Sequence, residues 1–255
     1  MTAKCIFPYK KYEASLEKSV SAGRLELYES LANTGRLEDG LMLHCWNTNL
    51  SQALYWPLQA FEITLRNAMA DRIADKYGDD WYDHLPTLSS SGRTSESTEV
   101  KRIAKAKEKL DKEGVSYGHD AIVAASSFGF WAGLLKEEYK GKLWDPLFSD
   151  FWAMIQLKEA FEKTQYIKDL RNNVAHYEPI IVFRGKRNKR ELFKDYKLIV
   201  KLIKWICPET AEWIEHHSAD KFFVAWNSCP DFFEVSRLKV TEGGSANDSR
   251  YWNWK

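Results

Sequence analysis

Apolar positions recur at steps of three and four along most of this chain, the spacing that lines them up on one face of an α-helix. From Leu37 the series Leu41, Leu43, Trp46, Leu50 and Leu54 marks a long amphipathic helix. Pro57 carries no amide hydrogen and is expected to kink or restart it. The spacing resumes through Leu58, Phe61, Leu65, Met69 and Ile73, and Gly78 closes the run. A shorter helix precedes it over residues 24–32, stopped by Asn33-Thr34-Gly35. Residues 85–98, rich in Ser and Thr and holding Pro86 and Gly92, read as a surface loop. A charged helix is expected over 99–112.

Beyond the turn at 114–118 comes a short apolar helix, 121–125. The string Phe128-Gly129-Phe130-Trp131 then leads into Leu134 and Leu135. Trp144, Leu147, Phe151 and Trp152 are core candidates. A helix from about Lys158 carries Ile167 and Leu170 into residues 171–176, and Pro179 ends it. Another, over 191–206, turns Leu192, Tyr196, Ile199, Leu202 and Ile203 inward. Pro208 starts a further one with Trp213 and Ile214. Residues 180–183 and 233–240 have extended character but do not build a sheet, and neither βαβ alternation nor an internal repeat is present. The expected fold class is all-α: one helical domain over 1–238, then a loose, polar, Gly-rich tail over 239–255.

Composition sharpens this picture. A chain of 255 residues that is 44% hydrophobic and holds 11 Trp can bury a sizeable core and is not disordered over most of its length. A net charge of +1 says little about partners; proteins that bind RNA by bulk electrostatics are usually more basic, so any such site must be a local patch. Two segments qualify. Lys101, Arg102, Lys105, Lys107, Lys109 and Lys112 are diluted by Glu108 and Asp111 and read as solvated surface. Arg184, Lys186, Arg187, Lys189 and Arg190 have no acid among them and follow the segment that carries the chemistry.

Cys5, Cys45, Cys207 and Cys229 form no CxxC pair, a poor zinc site and a poor disulfide framework. The N-terminus lacks the apolar run of a secretory signal, and no stretch reaches membrane-spanning length. A cytoplasmic protein is expected. His44, His84, His119, His216 and His217 share no metal-ligand spacing; no metal and no cofactor is expected.

The segment Lys168-Asp169-Leu170-Arg171-Asn172-Asn173-Val174-Ala175-His176 holds R-N-x-x-x-H late in a helix. Cutting RNA without a metal needs a base for the 2′-hydroxyl proton, an acid for the 5′-oxygen and a cation on the pentavalent phosphate. Histidine can serve as acid or base near neutrality, and arginine offers a forked cation that fits phosphate oxygens. Asn172 and His176, four apart, share a helix face; Arg171 lies beside it. The carbonyls of the last turn favour an imidazolium at His176. One helix supplies one histidine, so a two-fold homodimer that brings two such helices together would complete the acid–base pair.

The strings WNTNLSQALYWPLQAFEITLRNAMADRIADKYGDDWYD (46–83), SFGFWAGLL (127–135), LWDPLF (143–148) and LRNNVAHYEPI (170–180) occur in this order. Together they resemble the Abi-like (abortive infection) family of the HEPN superfamily, over roughly residues 25–214. The resemblance implies a HEPN-type helical bundle, often dimeric, that cleaves RNA through the R-N-x-x-x-H residues without a metal. On this chain Arg171 would stabilise the scissile phosphate, Asn172 would orient it or the histidine, and His176 would be the general acid or base.

It also implies a role in anti-phage defence, in some relatives linked to a small non-coding RNA. The partners expected are therefore RNA and a second copy of the chain, with no DNA and no membrane. The alternative is an RNA-binding, regulatory HEPN protein that holds a non-coding RNA without cutting it.

Relatives often read HHE where this chain has His176-Tyr177-Glu178, which removes the neighbouring second histidine. Tyr177 is a candidate to stack on a base and Glu178 a candidate supporting residue. Glu62, Arg66 and Asn67 are candidates to support the active helix; the Arg66-Asn67 pair has Asp71 where a histidine would be required. The H-x-Y spacing of nucleotide-modified HEPN toxins is absent. Trp46, Trp56, Trp131, Trp144 and Trp152 are assigned to packing rather than to RNA.

Overall fold

A computed structural model describes residues 7–90, 97–152, 155–183, 186–189 and 191–233. The expected tail, 239–255, and all but Phe233 of the extended segment 233–240 lie outside them. The fold is all-α. Its helices are α1 (Tyr9–Val20), α2 (Ala22–Ala32), α3 (Leu37–Tyr77), α4 (Thr98–Glu113), α5 (His119–Ala125), α6 (Phe128–Gly133), α7 (Leu157–Ala175), α8 (Leu192–Ile206) and α9 (Pro208–Asn227). A short antiparallel hairpin, β1 (Val182–Phe183) with β2 (Lys186–Lys189), links α7 to α8. Val182 pairs with Lys189 and Phe183 with Lys186.

The core is organised by α3, which packs against α2, α7, α8 and α9. Leu43, Leu50, Leu54, Phe61, Leu65, Met69 and Ile73 on it are fully buried. Truncating any of these leucines to Ala would cost about 2–5 kcal/mol, from lost transfer energy and the cavity left behind. Pro57 does not restart the helix: α3 runs as one element of 41 residues with Pro57 buried in it. Burial of the flanking apolar residues offsets the one hydrogen bond that the ring removes.

Helix α1 precedes the elements expected above; Tyr9, Tyr12, Leu16 and Val20 follow a helical spacing on it, yet none of its residues is buried. The loop expected over 85–98 begins instead as a 3₁₀ turn at Leu85–Leu88, with Leu85 and Leu88 buried. Pro86 suits the first turn, and residues three apart eclipse on a 3₁₀ helix, so both leucines reach the core.

Four of the five tryptophans assigned to packing (Trp46, Trp131, Trp144 and Trp152) are buried. Trp56 is half-buried, edge-on to Trp213. Among the described residues no helix is long and apolar enough to cross a membrane.

Candidate functional site

The last turn of α7 carries the R-N-x-x-x-H residues, and their placement follows from how that helix ends. His176 is the C-cap, its amide donating to the carbonyl of Asn172 at 2.9 Å. Tyr177 follows in the left-handed region, φ 59°. Its amide donates to Val174 O, and the Glu178 amide reaches back to Asn173 O at 2.8 Å. This double closure is the Schellman arrangement, which satisfies the carbonyls that a helix end leaves open. Pro179 then keeps the chain from continuing as helix. The result leaves His176, Tyr177 and Glu178 exposed, with Tyr177 at 77%.

Arg171 is gripped across the helix interface. Its Nε donates to Glu62 Oε2 at 2.8 Å and its Nη2 to Glu62 Oε1 at 3.2 Å, a two-point fork to α3. Its Nη1 donates to Asn172 Oδ1 at 3.3 Å. The Glu62 side chain is 15% exposed and that of Arg171 37%, so the arginine is the more open of the two. Of the three residues of α3 named from sequence, Glu62 is thus brought to the motif. Arg66 and Asn67 instead bond to each other, Nε to Oδ1 at 3.1 Å.

The segment after the motif is pinned by two residues that sequence reasoning missed. Buried Asn47 on α3 accepts with Oδ1 from the amides of Ile180 at 2.7 Å and Ile181 at 3.3 Å. The signal was present: Asn47 is a polar residue on the apolar stripe between Leu43 and Leu50. Arg24 of α2 donates from Nη1 to the Tyr177 carbonyl at 3.4 Å. Glu62 meets residue 171 while Asn47 meets 180 and 181, so the two stretches run in opposite directions. Tyr55, two turns before Glu62 on the same face of α3, is 57% exposed.

Arg24 also influences two side chains next to the turn. Half-buried His44 has its imidazole pKa pushed down, first by burial and then by the Arg24 charge. Its ring meets that of Tyr28 edge-on, with centroids 5.2 Å apart. Burial raises the Tyr28 hydroxyl well above its ordinary range; Arg24 opposes this shift and Glu178 adds to it.

The candidate basic segment is split. Lys186, Arg187 and Lys189 lie on β2, while Arg184 and Arg190 fall outside the described residues. The first basic run, on α4, is largely ion-paired: Arg102 with Glu99, Lys107 with Asp83, Lys109 with Glu113 and Lys112 with Glu108. His216 and His217 bring their ring centroids within 4.7 Å, yet no group of three or more metal-ligating side chains occurs among the described residues.

Chemically, the helix end offers an exposed histidine at its negative pole, and the turn before it carries a guanidinium held by Glu62 and Asn172. Compared with family models, with curated proteins and with solved structures, the chain matches none.

Proposed function

We propose that this chain is an endoribonuclease that works without a metal ion, with Arg171, Asn172 and His176 at its centre. The reading is carried by one observation: an exposed histidine stands at the end of α7, five residues after an arginine that Glu62 and Asn172 hold in place. In the reaction the substrate's 2′-oxygen attacks phosphorus and the P–O5′ bond breaks. One base takes the 2′-proton, and one acid returns a proton to the departing 5′-oxygen. Arg171 neutralises the charge that gathers on the phosphoryl oxygens.

His176 supplies the acid or the base, and the copy of His176 in a second chain supplies the other. Exposed Tyr55, Ile63 and Tyr177, on α3 and the motif turn, give a second chain apolar surface to cover. The likeness to the Abi-like family would put this activity in anti-phage defence.

One observation favours a second reading, that of an RNA-binding protein that does not cut. The Arg171 cation is already satisfied by Glu62 and would have to share its donors with a phosphate. End-group analysis of cleaved RNA decides between them. The nuclease leaves 2′,3′-cyclic phosphate and 5′-hydroxyl ends in EDTA, and His176→Ala lowers the rate by about 10²–10⁴-fold while the fold persists. Binding with no new ends in wild type selects the second reading; inhibition by EDTA, or an alanine variant that cuts normally, overturns the first.

A further inference from the structure

Positive charge is concentrated in one part of this nearly neutral chain. Residues 177–206 hold nine Lys and Arg against three acids, whereas the other 225 residues hold 28 against 33. Of the three acids, Asp195 is buried and accepts from Tyr166 of α7 at 2.6 Å, and Glu191 pairs with Lys194 at 2.6 Å.

The tract ends on α8, where Lys194, Lys197, Lys201 and Lys204 fall at steps of three, four and three. They therefore share one face over roughly 15 Å of helix. They line a groove of about 340 Å³ whose other walls are Leu198, Val200 and the half-buried Glu215 of α9. Lys197 lies 4.5 Å from the Phe193 ring centroid, and Lys201 lies 5.3 Å from that of Trp205. Burial lowers the Lys197 pKa, the cost of holding an ammonium in a partly desolvated cleft. Neither Lys201 nor Lys204 has a carboxylate within ion-pair distance among the described residues.

We infer that this groove is a docking site for the backbone of single-stranded RNA, separate from the catalytic turn, that holds the substrate beyond the nucleotides being cut. The inference rests on the RNA reading above. A row of ammonium groups along an apolar cleft suits a flexible line of phosphates, and the adjoining aromatic rings suit bases better than lipid headgroups. The Tyr166–Asp195 bond ties the start of α8 to the helix that bears the motif.

The test uses a fluorescent oligouridylate of about 20 nucleotides, long enough to exceed one binding groove. Wild type is compared with the double variant Lys201→Gln/Lys204→Gln, whose exposed side chains can change without disturbing the core. The double variant is expected to bind about ten-fold more weakly, and the slope of log K against log salt is expected to fall by about 1.4. Cleavage of a short oligonucleotide that cannot reach the groove stays at the wild-type rate.

Unchanged affinity and slope in the double variant overturn the groove while leaving the nuclease intact, as the His176-dependent ends report separately. Weakened binding in a protein that never cuts sustains the groove and removes the nuclease. Wild type that ignores the oligonucleotide but binds anionic phospholipid vesicles through the same lysines overturns the RNA assignment.

Discussion

Tyr177 occupies the position where helices ending in this way most often place glycine. A bulky L-residue with φ 59° pays about 1–2 kcal/mol for the approach of its Cβ to the backbone. At 77% exposure the ring recovers little of that by packing. Tyr177→Gly is therefore expected to raise stability by about 1 kcal/mol, read as a higher urea midpoint at unchanged m. A lowered midpoint would show that the ring holds the turn in a way its exposure conceals.

At this scale part of the candidate site's geometry was legible in the sequence. R-N-x-x-x-H is local, and helix geometry puts Asn172 and His176 on one face with Arg171 beside it. Glu62 was named only through resemblance. Arg24 was not legible, because its bond to the Tyr177 carbonyl depends on how α2 crosses the helix end.

Among the elements, the long helix and its apolar series were legible because burial repeats at every turn. Helix α1 was less so: Tyr9, Tyr12, Leu16 and Val20 keep a helical spacing, but the residues between them are mostly charged or small and none in the helix is buried. The SFGFWAGLL string has a clear physical account. Ser127 caps α6 by accepting from the Phe130 amide at 3.3 Å, and the two glycines let α6 approach α4 closely. Behind Gly133 lies the fully buried Glu99, whose Oε1 is held by Arg102 at 3.1 Å and by Lys136 at 2.9 Å.

A Cβ at Gly133 would collide with that carboxylate, which has no room to retreat from its two cations. Gly133→Ala should thus cost at least about 2 kcal/mol by overpacking and disruption of a buried ion pair. At Gly129 the added atom would lie 3.2 Å from the tip of Arg102, a side chain able to give way. Gly129→Ala should cost less. Denaturant melts of the two variants compare them directly, and equal losses would refute the account.

For the molecule as a whole, the helix that organises the core also sets the motif in place. Glu62 and Asn47 sit on the same α3, one gripping Arg171 before the turn and the other holding Ile180 and Ile181 after it. A surface bend between two such anchors has no hinge of its own. Its opening has to wait for the central rod to let go, so the motif turn inherits the rod's kinetics. In deuterium the Ile180 and Ile181 amides should exchange as slowly as those in the middle of α3, although an exposed bend lies just ahead of them. Exchange of these two amides at the pace of an open loop would mean that the bend moves independently. Asn47→Ala should create that independence, leaving two buried amides unpaired at a cost of about 2–5 kcal/mol.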